Sequence, residues 1–124
     1  MRMSRRRKTN FFHRKSVSKK NREGSTFTEY EKATEVVGEV WPANGKVQAE
    51  MYGIDLSYIR NVKIEGNYTI TPDEKGVVHY IFENGVDIVE KDGLCLYTGK
   101  ESKPDYEIIS IKPYSPLRLE AKHV

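Results

Sequence analysis

Cysteine is nearly absent: Cys95 stands alone, so no disulfide can form within the chain. A reducing interior is the simplest setting for such a chain. Long apolar runs are missing too, and no stretch approaches the ~18 residues that a membrane helix needs. The first residues are basic and then polar, unlike the apolar stretch of a secretory signal. Asn67-Tyr68-Thr69 fits the glycosylation pattern, and with no such signal it is taken as chance. Histidine occurs at only three places, His13, His79 and His123. None has a second ligand at metal-binding spacing, so no metal site is expected. There is no Gly-rich phosphate loop, no Gly-x-Ser-x-Gly elbow and no Walker pattern. The expectation is therefore a non-enzyme with no cofactor, no small-molecule substrate and no membrane partner.

Charge is present in quantity and unevenly distributed. Residues 1–24 carry a net +9 and the remaining hundred a net −6, which hides inside a total of +3. A basic arm on an acidic body suits either nucleic-acid phosphate or an acidic protein surface. Arg2, Arg5, Arg6, Arg7 and Lys8 are the candidate contacts. Repeated like charge with nothing to bury predicts a disordered arm over residues 1–10.

Beyond the arm, 124 residues with 37% apolar content suffice for one modest core. Val78, Tyr80 and Phe82 alternate with His79 and Glu83, and Asn84-Gly85 then signals a tight hairpin. Leu117, Leu119 and Ala121 alternate with Arg118, Glu120 and Lys122, which predicts a last strand with one wet face. Residues 18–31 are polar and predict a long hairpin loop. Asp92 closes a run that looks like a solvated hairpin end, and Cys95 between two leucines looks like a buried, inert thiol. The acids Asp87, Glu90, Asp92 and Asp105 have no spacing that brings them together. Eight tyrosines are scattered without basic residues interleaved on one face, so strand packing accounts for them. The pattern predicts an all-β chain: a small β-barrel or sandwich of six to eight short antiparallel strands spanning residues 11–124. One long loop, residues 42–60, fits neither strand nor helix, beyond one short helical turn. Loops that long inside compact domains are usually functional.

Three stretches, in order, carry a family resemblance. Phe11-Phe12-His13-Arg14-Lys15 opens the domain and leads to Glu39-Val40-Trp41-Pro42-Ala43-Asn44-Gly45. Val47-Gln48-Ala49-Glu50-Met51-Tyr52-Gly53 follows, running through Tyr58 and Arg60. Val86 to Gly93 then precedes Leu94-Cys95-Leu96-Tyr97 and Asp105-Tyr106-Glu107-Ile108-Ile109-Ser110-Ile111. Together they resemble the head–tail joining (head-closure, or stopper) proteins of tailed phages and prophages of Gram-positive bacteria. The basic run Arg5-Arg6-Arg7-Lys8 extends beyond that family's opening, so the arm's role is not inherited.

The resemblance implies a β-barrel assembled as a homo-oligomeric ring below the portal. Its partners would be portal or adaptor and tail-completion proteins, and it would contact packaged DNA. Its place would be the virion, and the host cytoplasm during assembly. It further implies that the loop 42–60 reaches toward the channel, with Val47, Met51, Tyr52, Ile54, Tyr58 and Arg60 at a subunit interface. The alternative is a small nucleic-acid-binding β-barrel that uses the basic arm.

Overall fold

The computed structural model describes residues 8–124. Residues 1–7, with Arg2, Arg5, Arg6 and Arg7 of the candidate arm, lie outside the described residues. Six strands close an antiparallel barrel: β1 (Lys8–Arg14), β4 (Thr34–Pro42), β5 (Ile59–Ile64), β11 (Leu117–His123), β10 (Tyr106–Lys112) and β9 (Gly93–Cys95), in that order around the wall. The chain is thus a small all-β barrel, as its alternation implies. Five further strands bring the total among the described residues to eleven. They form a ribbon of β2 (Ser16–Lys20) and β3 (Thr26–Tyr30), and a three-stranded sheet of β6 (Tyr68–Pro72), β7 (Val78–Phe82) and β8 (Asp87–Ile88).

Period-2 patterning places the barrel interior. Phe11, Val36, Val62, Ile64, Leu94, Ile108, Leu117, Leu119 and Ala121 fill it and are buried. The third sheet feeds Phe82, Val86 and Ile88 into the same core, and Tyr68 stacks near Phe82 at a ring separation of 5.4 Å. β4 meets this crowded interior through Gly38. A Cβ there would run into the Lys63 carbonyl oxygen, and the Phe11 ring stands 3.2 Å from the same point. Only glycine lets β1, β4 and β5 approach this closely.

Three expectations are corrected. Residues 8–10 belong to β1 rather than to an arm, because Lys8, Thr9 and Asn10 pair with Glu39, Gly38 and Val37. Residues 18–31 are mostly a paired ribbon. Asn21 Oδ1 accepts hydrogen bonds from the Glu23 and Ser25 amides, and Gly24 takes φ 86° to turn the chain. The 42–60 segment is largely helical. Pro42 ends β4, α1 runs Lys46–Tyr52, a 3₁₀ helix covers Gly53–Tyr58, and Ile59 and Arg60 already belong to β5. Gly45 (φ 91°) and Gly53 (φ 55°) bound α1 because only glycine takes these angles without strain.

Candidate interaction surface

The helical segment between β4 and β5 is the candidate site. Neither α1 nor the 3₁₀ helix contains a buried residue. Val47 and Met51, four residues apart, share a face of α1 and are 71% and 59% exposed. Ile54 is 95% and Tyr58 54% exposed. No fully buried apolar side chain therefore holds this segment to the barrel.

Polar contacts hold it instead. Gln48 Nε2 donates to Asn61 Oδ1 at 2.7 Å and to Glu120 Oε2 at 2.8 Å. Its Oε1 accepts from Asn61 Nδ2 and from the Asn44 amide, each at 3.1 Å. Asn61 on β5 and Glu120 on β11 face each other across the strand pair, and both are buried on the outer wall. Lys112 Nζ on β10 reaches Glu120 Oε1 at 3.2 Å. Burial on its own would raise the Glu120 carboxyl. The hydrogen bonds from Gln48, Lys112 and Tyr52, with the Lys112 charge, outweigh it and hold the group below its usual range. Tyr52 shows the reverse: burial first, then the Glu120 charge and hydrogen bond, push its phenol up to about 12. Asp55 pairs with Lys122 at 3.4 Å. Arg60 donates to the Ser57 and Ile59 carbonyls and lies over the Tyr106 ring.

The six residues expected at an interface thus separate by environment. Val47, Met51, Ile54 and Tyr58 stand out from the barrel, whereas Tyr52 and Arg60 are occupied with their own chain. Glu120, read from alternation as part of a wet face, lies under Gln48. Its cover comes from a segment 72 residues away in sequence, which no local pattern reveals.

Lys8 is the one candidate arm contact among the described residues, and it and three basic residues that follow it are engaged. Lys8 pairs with Glu65 at 2.6 Å, Lys15 with Asp87 at 2.8 Å and Lys19 with Glu29 at 2.6 Å. Arg14 donates to the Glu31, Ser102 and Tyr30 carbonyls.

Two histidine clusters are present that sequence spacing missed. His13 Nε2 lies 2.7 Å from Asp92 Oδ2, both buried. Asp92 also accepts from the Ser16 and Val89 amides. Asp92 is thus no solvated turn residue, and it pins the loop after β8 to the β1–β2 crossing. His79 on β7 meets Asp87 on β8 at 2.7 Å through Nδ1 and Asp73 at 3.0 Å through Nε2. Those hydrogen bonds, Asp73 first and then Asp87, raise the His79 pKa above its ordinary 6.5. Among the described residues no three His, Cys, Asp or Glu side chains gather as a metal-binding group. The Cys95 thiol is buried, and desolvation pushes its pKa up, away from thiolate chemistry.

No protein-family model, no curated protein and no solved structure matches this chain.

Proposed function

We propose that this chain is a structural subunit of a tailed-phage or prophage virion. It forms a ring between the portal end of the head and the tail and helps keep packaged DNA inside. It works by shape and contact and makes or breaks no bonds. The observation that supports this most directly is the helical segment. Four apolar side chains are held away from their own core by hydrogen bonds to Asn61 and Glu120. Keeping such side chains in water is unfavourable, and a neighbouring subunit removes that cost. A closed barrel suits the role because closure shortens the exposed strand edges to the parts of β1 and β10 that the short β9 does not reach. A heterologous contact repeated by rotation closes into a ring.

The test is deletion of the gene in the genome that carries it, followed by induction and electron microscopy. Separate tails and heads that have lost their DNA are the expected products, with joined particles restored by the wild-type gene in trans. Joined, infectious particles without the gene would overturn the proposal. So would a wild-type genome that releases no phage-like particle on induction.

A further inference from the structure

Five charged residues stand in one register across five neighbouring strands of the wall. Lys8 faces Glu39, Glu39 faces Lys63, Lys63 faces Arg118, and Arg118 faces Lys112. Registered partners point to the same side of a sheet. Val62, Ile64, Leu117 and Leu119, which flank the row along β5 and β11, fill the interior. The row therefore lies on the outside. With strands about 4.8 Å apart, Lys63, Arg118 and Lys112 place three cations within about 10 Å.

Like charges facing each other across strands repel. Glu39 lies beside one end of the trio, and buried Glu120 meets Lys112 at the other. Arg118, in the middle, has no carboxylate partner among the ion pairs of the described residues. Its guanidinium sits 5.2 Å from the centre of the Trp41 ring, and Lys63 Nζ sits 5.3 Å from the same ring. One indole thus holds two cations in place. Beside them is a depression of ≈ 310 Å³ bordered by Lys46, Lys112, Arg118, Asn44 and Tyr114. Tyr114 is 57% exposed.

We propose that this basic, aromatic-lined stripe binds the phosphate backbone of a nucleic acid. Arg118 takes a phosphate through its planar fork, Lys46, Lys63 and Lys112 supply point charges around it, and Tyr114 offers a flat face to a sugar or base. An acidic protein surface is the competing occupant; a run of three neighbouring cations beside an exposed aromatic ring is the combination that tracks a phosphate backbone and stacks a base, which favours nucleic acid. The stripe belongs to the folded wall, so it is distinct from Arg2, Arg5, Arg6 and Arg7. It rests on the virion reading only in naming packaged DNA as the nucleic acid met.

Trp41 is the sole tryptophan, so its emission reports this site and no other. Full-length protein is titrated with a short DNA duplex at low salt while Trp41 emission and DNA anisotropy are followed together. The expected result is a saturable emission change that tracks binding. The K63Q/K112Q/R118Q variant should bind about tenfold more weakly, with a salt slope shallower by about 2 to 3, at ~0.9 per phosphate contact. If circular dichroism shows that variant unfolded, K46Q is read instead and should still weaken binding. DNA bound with Trp41 unperturbed, or no DNA bound at all, overturns the inference. So does an equal emission change on adding polyglutamate at the same salt, which would mark an acidic protein partner. Particle joining is a separate readout, so virion and DNA-binding claims fail independently.

Discussion

Replacing Gln48 by alanine leaves only the Tyr52–Glu120 hydrogen bond from α1 and removes the main polar tie between that helix and the wall. Four hydrogen bonds go with it: two to Asn61, one to Glu120 and one from the Asn44 amide. A bond to a charged acceptor contributes about 1.5–3 kcal/mol and a neutral one about 1 kcal/mol. Gln48 is half-buried, so water replaces part of what is lost, and a net cost of about 2 kcal/mol is expected. Against a total of about 5–15 kcal/mol this is a large fraction. With a urea slope of about 2 kcal/mol/M, the unfolding midpoint should fall by about 1 M.

The pH dependence gives a second handle. Glu120 titrates below its ordinary 4.5 in the folded chain, so its contribution is present above that value. It is lost as pH falls through the depressed folded value. Gln48 is one of the groups that depress it. The gap between wild type and variant should therefore be full at neutral pH and narrow on acidification. The measurement is a set of urea curves across that range. A midpoint shift under ~0.3 M, or a gap that stays constant with pH, would refute the assignment of this cluster as the anchor of the segment.

Ile54→Asp and Met51→Asp should change unfolding free energy by no more than about 0.5 kcal/mol, because neither side chain is buried. Both should nevertheless abolish joined particles in a complementation assay, since a charge is placed in the proposed contact. Gly38→Ala should destabilise the barrel by several kcal/mol or prevent folding, because the new methyl meets the Lys63 carbonyl and the Phe11 ring; thermal melting reads this directly. His79→Asn should remove one pH-dependent component of stability. The raised histidine pKa means that component is full below the ordinary 6.5 and disappears as pH climbs through the folded value. Parallel melts at acidic and alkaline pH should converge at the alkaline end.

Where one face of a strand met the core, the sequence declared it. Val78, Tyr80 and Phe82 with the Asn84-Gly85 turn read directly as β7 and its hairpin, and Leu117, Leu119 and Ala121 as β11. The β2–β3 ribbon was hidden because it buries nothing: Ser18, Lys19 and Lys20 face water, as do Thr26 through Glu29. Strand β6 carries four exposed residues of five and was equally silent. In the segment after β4, Val47, Met51, Ile54 and Tyr58 follow a loose helical spacing that Gly53 interrupts, and α1 buries no residue that would turn that spacing into a core-facing stripe. The polar anchor was illegible for a different reason. Gln48, Asn61 and Glu120 are ordinary surface residue types, and only the barrel register brings them together. The same holds for Trp41, Lys63 and Arg118, which the tyrosine count passed over and which sit on three different strands.

Barrel closure also sets a timetable for the newborn chain. β1 has β9 as one neighbour, and β5 has β11, with Ile64 opposite Leu117. The wall cannot be completed until β11 has left the ribosome. The ribbon and the β6–β7 hairpin, whose partners are close in sequence, are free to form long before. Such distant pairings are slow to find, and until they form, the leucines and isoleucines of the interior stay uncovered. Burial of the interior is therefore paced by how quickly these late strands find their early partners rather than by the synthesis of the early strands themselves.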